Sequence, residues 1–223
     1  MRSILGRIAA LVIKLLQRRI RGSVTVEGRS YSVTPDVFNP KLYITTSLLA
    51  SCLRVSRGDR LLDMGTGSGF LAIEAARRAC EVVAIDINPE AVRCAEENAR
   101  VHRVSDRISV LQGDLFTPIA EDELFDVILF NPPYLDGSGK SLFDHAIYDP
   151  DKRVVGRFLK EAGSHLVPSG YIAMVYSSIA DPRRVLMLAQ ECGFRCAVVM
   201  QKRVLFERFF VFEFFPSHTE DSQ

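Results

Sequence analysis

Cysteine is sparse and scattered in these 223 residues: Cys52, Cys80, Cys94, Cys192 and Cys196, an odd count with no CxxC pair and no Cys/His block. That excludes a disulfide framework and gives no support to a zinc or other metal site; reduced, mostly buried thiols are the expectation. A charge excess is missing too. Lys and Arg number 28 against 27 Asp and Glu, a net charge of +1, so no whole-chain field drives binding to nucleic acid, although a local basic patch would not be masked by it. No apolar run reaches the ~18 residues that a membrane span needs. Internal repeats and low-complexity segments are also lacking. What remains is a globular composition, 48% hydrophobic and 25% charged, at a length suited to one substantial domain with small additions. The expected location is the cytoplasm.

The charge is uneven along the chain. Arg2, Arg7, Lys14, Arg18, Arg19 and Arg21 precede the first acid, Glu27, while Ile4, Ile8, Leu11 and Leu15 recur at helical spacing. The spacing predicts a basic amphipathic helix over 1–22, which either packs its apolar stripe on the domain or docks peripherally on a membrane surface, an acidic partner or RNA. Ser23–Glu27 and Ser30–Thr34 alternate around Gly28 as a short hairpin, and Ile44–Leu53 suits a helix.

From Arg60 onward short apolar runs alternate with amphipathic segments. Strands are predicted at Arg60–Met64, Val82–Asp86, Ile108–Leu111, Phe125–Phe130 and Tyr171–Tyr176, and helices at Phe70–Ala79, Pro89–Val101, Asp151–Leu166 and Pro182–Cys192. Strands each followed by a helix imply βαβ units and a parallel sheet covered on both faces. Phe194–Met200 and Arg208–Phe215 are too close together for a crossover helix, so they close the chain as an antiparallel pair. The predicted class is α/β, a doubly wound, mostly parallel sheet over residues 23–216, with a polar tail at 217–223.

Two stretches carry chemistry. Leu61-Leu62-Asp63-Met64-Gly65-Thr66-Gly67-Ser68-Gly69-Phe70 runs a buried strand into a glycine-rich turn and a helix. A dinucleotide fingerprint would place its third glycine at 70, where this chain has Phe70. Asp86, at the end of the next strand and followed by Ile87, can accept both hydroxyl protons of a ribose. Asp114, followed by Leu115, can accept from an exocyclic adenine amine. Acids at three successive strand ends, with few cations, suit a positively charged nucleoside ligand such as S-adenosylmethionine. The expected cofactor-binding set is Asp63, Gly65, Thr66, Gly67, Gly69, Asp86, Ile87, Asp114, Leu115 and Asn131.

The second stretch is Asn131-Pro132-Pro133-Tyr134. Two prolines in series end the strand in a stiff loop. Such a loop can aim the Asn131 side-chain oxygen and the Pro132 carbonyl at the two protons of a planar NH₂ group, with Tyr134 stacking on the group that carries it. Asn131, Pro132, Pro133 and Tyr134 are the expected catalytic residues. His102 and His145 read as ordinary surface or loop histidines, and no Cys is placed as a nucleophile.

Together, Asp63–Gly69, Asp86, Asp114 and Asn131–Tyr134 resemble the class I S-adenosylmethionine-dependent methyltransferases, and more narrowly the HemK-type and wider methyltransferase small domain group. Val37-Phe38-Asn39-Pro40, ahead of Thr46 and Leu48-Leu49, is similar to that group's lead-in. The resemblance implies a seven-stranded sheet with an antiparallel last strand, S-adenosylmethionine as cofactor, and N-methylation of a protein glutamine amide of the release-factor type. Exocyclic amines of rRNA or tRNA bases are the rival acceptors in the group, and compact members often work with a small activator subunit. Residues 41–46 lack the acid usual in the compact relatives' lead-in. Asp136-Gly137-Ser138-Gly139 and Tyr148-Asp149-Pro150-Asp151 depart from the glycine-rich element that follows this loop in glutamine enzymes. From other classes, an NAD-dependent oxidoreductase is opposed by Phe70, and a non-catalytic binding module by the intact Asn131–Tyr134.

Overall fold

A computed structural model describes residues 12, 15–17, 22–78, 81–138 and 141–217. Most of the predicted N-terminal helix, Cys80 and residues 218–223 of the tail lie outside these. Residues 12 and 15–17 are helical; Leu15 and Leu16 are exposed, whereas Gln17 is buried and donates to the Thr34 and Val37 carbonyls at 3.1 and 2.6 Å. Among the described residues no helix is long and apolar enough to cross a membrane.

Strands β1 (Gly22–Val26) and β2 (Arg29–Val33) form a separate antiparallel hairpin. The main sheet has seven strands: β3 (Arg60–Met64), β4 (Glu81–Asp86), β5 (Ile108–Gln112), β6 (Phe125–Phe130), β7 (Leu166–Ser177), β8 (Phe194–Val204) and β9 (Glu207–Pro216), in the order β5-β4-β3-β6-β7-β9-β8. Pairing is parallel from β5 to β7; β9 runs antiparallel to both β7 and β8. The expected architecture, with its antiparallel last strand, is the one observed.

Period-two alternation sorts the strand residues between two cores. Leu61, Val127, Leu129, Ala173 and Val175 face one core, against α1 (Ile44–Cys52) and α2 (Phe70–Ala76) and part of α3 (Pro89–Val101). Leu62, Met64, Ile128, Phe130, Ile172, Met174 and Tyr176 face the other. There they meet a short α4 (Leu142–His145) only indirectly; their main cover is α5 (Arg153–Ala162) and α6 (Pro182–Glu191). Burial on both faces is why these strands read as continuous apolar runs.

Three expectations need correction, and one short helix goes unpredicted. The helix predicted over Asp151–Leu166 begins at Arg153, because Asp151 and Lys152 take left-handed backbone (φ 58° each), and ends at Ala162 in a tight turn, Gly163–His165. Strand β7 starts at Leu166 rather than Tyr171: Pro168-Ser169-Gly170 looks like a turn, but a register irregularity beside Phe125 and Val127 absorbs it. Helix α4, capped reciprocally by Ser141 and Asp144, is too short to leave a periodic pattern. Of the four described cysteines only Cys94 is buried, and Cys196 is exposed on edge strand β8, where Arg195, Lys202 and Arg203 blunt the edge.

The hairpin is clamped to the sheet's helical cover through Tyr31. Its buried ring lies 5.2 Å from that of Phe70 and stacks on His102 at 4.5 Å, while its hydroxyl donates to Glu74 at 3.3 Å. Arg29 pairs with the same carboxylate at 2.8 Å, and Asn98 accepts from the Ser32 N–H at 2.8 Å. His102, whose Nε2 also lies 2.9 Å from the Ser30 carbonyl, is thus a packing residue. Tyr31→Ala should cost about 3–5 kcal/mol of folding stability, read as a lower urea midpoint at unchanged m-value.

Candidate functional site

Strand β3 delivers the chain into a turn at Gly65, Gly67 and Gly69, all at positive φ (69°, 56° and 80°). A Cβ at Gly69 would lie 3.0 Å from Ala95 Cα, so α2 could not start so close to α3 with any larger residue there. Phe70 follows as a core residue against Tyr31. The Thr66 N–H donates to the Ile85 carbonyl at 2.9 Å, which ties the turn to β4.

Two acids hold this turn in different ways. Asp86 accepts from the Gly67 N–H through Oδ2 and from the Asn88 N–H through Oδ1, both at 2.9 Å, joining the ends of β3 and β4. Burial pushes its carboxyl up, and the backbone N–H groups oppose that. Asp63 lies behind the turn. Its Oδ2 accepts from Thr66 Oγ1 at 2.7 Å and from the Ala72 N–H at 3.1 Å, while its buried Oδ1 has no hydrogen-bond partner. Complete burial raises its pKa to about 7, partly countered by those two donors.

A cavity of about 330 Å³ opens at the carboxyl ends of β3, β4, β5 and β6. Gly65, Thr66, Gly67, Asp86, Ile87, Asp114, Leu115, Asn131 and Pro133 line it; Asp63, Gly69, Pro132 and Tyr134 do not. The lead-in reaches it too, through Val37, Phe38, Pro40 and Thr46. Asn88 caps α3 by accepting from the Glu90 N–H and anchors the lead-in by donating to the Asp36 carbonyl at 2.8 Å. Arg157, carried in by α5, is the one Arg or Lys among the lining residues and pairs with Asp114 at 2.9 Å. His145, on α4, also lines the wall.

Asn131 ends β6 on the cavity rim. Its Nδ2 donates to Thr45 Oγ1 at 3.4 Å and Thr46 Oγ1 at 3.3 Å, both buried on α1, which leaves the amide oxygen as the accepting end. Tyr134 turns away from the cavity: its ring is 5.9 Å from that of Tyr176 and packs beside Leu135, Phe143 and Ile147. Burial pushes its hydroxyl pKa up, so it stays a neutral phenol. Sequence reasoning missed Thr45 and Arg157 and named Thr46 only beside the lead-in, with no role at Asn131. The threonines stand two helical positions inside α1 with nothing to distinguish them from packing residues. Arg157 lies on the exposed side of α5, where a cation is unremarkable.

Asp63 gives a pH prediction. Its folded pKa near 7 exceeds the ~3.9 of an unfolded Asp, so the folded state holds the proton that the unfolded state releases. The stability it contributes is present at low pH and is lost as pH rises through that window. Asp63→Asn, which mimics the protonated form, should remove this downward slope between roughly pH 5 and 7 in urea titrations. An identical slope in wild type and variant would contradict the assignment.

The model of the methyltransferase small domain family matches residues 32–204. A putative protein N5-glutamine methyltransferase of Methanocaldococcus jannaschii is 31% identical over 195 residues, covering 84% of this chain and 96% of that protein. A release factor glutamine methyltransferase of Koribacter versatilis is 30% identical over 185 residues, but the chain spans only 65% of its length. Two solved structures share the fold. One is the E. cuniculi Mtq2-Trm112 complex responsible for methylation of the eRF1 translation termination factor, at 21% identity and TM-score 0.60, covering 82% of this chain and 99% of that one. The other is the T. thermophilus 16S rRNA N2 G1207 methyltransferase with AdoMet and guanosine, at 23% identity and TM-score 0.65, covering 88% and 50%. With its glycine turn, strand-end acids and strand order β5-β4-β3-β6-β7-β9-β8 already in place, the chain belongs to the methyltransferase small domain family of S-adenosylmethionine-dependent methyltransferases.

Proposed function

We propose that the cavity binds S-adenosylmethionine and that the Asn131–Tyr134 loop presents a protein glutamine amide to it. The residues present suit that cofactor. A cavity of about 330 Å³ lies within the range of small-ligand sites, ~300–1,000 Å³. Asp36, Asp86 and Asp114 put carboxylates on its wall, and its one Arg is already paired, a charge balance that favours a cation. Asp86 spends two acceptor positions on backbone N–H groups and keeps the others for ribose hydroxyls. Ile87 and Leu115 would flank the base, Asp114 would receive its amine, and the Gly65–Gly69 turn would lie along the rest.

The observation that carries the acceptor assignment is the orientation of Asn131. Two threonine hydroxyls take up its NH₂ end, so its oxygen is the end held out to a partner that must itself donate. Asn131 Oδ1 and the Pro132 carbonyl would accept the two protons of a glutamine NH₂ and turn the nitrogen lone pair toward the cavity. Bound S-adenosylmethionine supplies an electrophilic methyl group. The chain supplies orientation: amide nitrogen is a poor nucleophile, and fixed acceptors polarise it with no covalent intermediate. Tyr134, packed on Tyr176, would buttress this loop from behind. The Methanocaldococcus relative, matched over nearly its whole length, supports glutamine as the acceptor.

The proposed methyltransferase domain is 23–216, which extends the matched segment to include the β1–β2 hairpin, and its location is the cytoplasm. The Mtq2-Trm112 assembly motivates a second, small subunit as a partner. An RNA exocyclic amine is the alternative acceptor, since the same two oxygens would grip it.

Asn131→Ala should lower methyl transfer by about 10²–10³-fold, the scale for losing one preorganised polar group. Calorimetry should find cofactor affinity nearly unchanged; parallel collapse of both would contradict the division of labour. Labelled cofactor with cell lysate should leave its methyl group in protease-sensitive, RNase-resistant material. Label that RNase removes would transfer the reading to RNA.

A further inference from the structure

Two unfavourable features coincide at Lys152, directly behind the acceptor loop. Its side chain is 5% exposed yet carries an ammonium group. Its backbone is left-handed (φ 58°, ψ 36°), immediately after Asp151 in the same region (φ 58°, ψ 16°). Side chains with a Cβ rarely take this conformation once, and two in succession persist only where the surroundings over-determine them. A buried charge likewise persists only where it is paired and hydrogen-bonded.

What the ammonium reaches accounts for both. Lys152 Nζ donates to the Tyr134 carbonyl at 3.4 Å and to Asp136 Oδ1 at 3.0 Å. It sits at a seam. The Leu135 N–H donates to the Ile147 carbonyl at 3.0 Å, and the Asp149 N–H donates to the Leu135 carbonyl at 3.0 Å, so the chain leaving the acceptor loop is zipped to the chain returning toward α5. The buried Asp149 carboxylate then accepts from the N–H groups of Val154 and Val155 at 2.8 and 3.1 Å and fixes the start of α5. Asp136 is 66% exposed, so its ion pair alone adds little. The carbonyl contact matters more. Pro132 and Pro133 fix their own φ but not the peptide after Tyr134, whose N–H side is held by the Ile147 carbonyl and whose carbonyl side is held by the ammonium.

We propose that Lys152 is a positioning residue for methyl transfer, whose ammonium locks the Tyr134 carbonyl and so holds Asn131 and Pro132 in register with the cavity. This rests on the reading of Asn131–Tyr134 as the acceptor loop. Lys152 touches neither substrate nor cofactor; it acts through the loop.

The test compares two glycine variants. Lys152→Gly removes the ammonium and relieves its left-handed backbone, and thermal unfolding together with cofactor affinity reports whether the emptied space disturbs the fold. Asp151→Gly relieves the neighbouring backbone and keeps the lysine. In Lys152→Gly, thermal stability should match or exceed wild type and cofactor affinity should hold, while kcat on a glutamine peptide falls about 10- to 100-fold at little-changed KM. Amide hydrogen exchange at residues 134–136 should quicken in Lys152→Gly alone. Asp151→Gly should match wild type in both readouts. Undiminished kcat in Lys152→Gly, or unchanged exchange at 134–136, overturns the proposal. If the wild-type chain methylates no amide, the acceptor-loop reading fails instead, and exchange still judges the lysine.

Discussion

Asp86 stands where two turns meet, and the cavity's geometry follows from what its carboxylate is bonded to. One oxygen accepts from the Gly67 N–H in the turn after β3; the other accepts from the Asn88 N–H in the turn after β4. The ladder between these adjacent parallel strands stops at Met64 and Ile85, and beyond it the Thr66 N–H still reaches the Ile85 carbonyl. The carboxylate continues that linkage beyond the last rung. Since Asn88 in turn donates to the Asp36 carbonyl, the lead-in is tied to the same point. Three walls of the cavity are thereby tied together through the side chains of Asp86 and Asn88.

The acids of this region are alike in sequence and unlike in physics. Asp63 is sealed behind the glycine turn, where burial outweighs two donors and raises its pKa to about 7. Asp86 is also pushed upward by burial, yet each oxygen has a backbone donor. Asp114 is half exposed and is balanced by Arg157. Only the second and third can face a ligand. The first instead shapes the turn, joining Thr66 to the start of α2.

Much of this was legible from periodicity. Arg60–Met64 and Phe125–Phe130 are continuous apolar runs because both faces are covered, and their ends fell on the glycine turn and on Asn131 as expected. Asn88-Pro89 marks the start of α3 through cap chemistry alone. Other features depended on distant partners. Asp151-Lys152-Arg153 looks like an ordinary first helical turn; the Lys152 contacts across the seam and the Asp149 carboxylate on the Val154 and Val155 N–H groups together show why the helix waits until Arg153. Nor can Thr45 and Thr46 be recognised without knowing that α1 lies against the end of β6. Tyr134 was expected to stack on the acceptor; its ring packs instead on Tyr176, a neighbour that becomes visible only once β7 pairs with β6.

The acceptor loop is consequently held from two sides by groups of opposite character. On the α1 side, neutral hydroxyls accept from Asn131 and settle which end of its amide faces outward. Behind, the Lys152 ammonium reaches the Tyr134 carbonyl, and the Leu135 bridge restrains the same peptide. The asymmetry has a physical basis. On the proposed reading, a cation on the α1 side would repel a sulfonium in the cavity and would donate to the oxygen assigned to accept from the substrate. A neutral hydroxyl behind the loop would restrain the carbonyl more weakly than a charged donor does. Around the loop, then, the supports on the α1 side are uncharged and the charged one stands behind the two prolines, while the cavity's Arg157 is paired with Asp114.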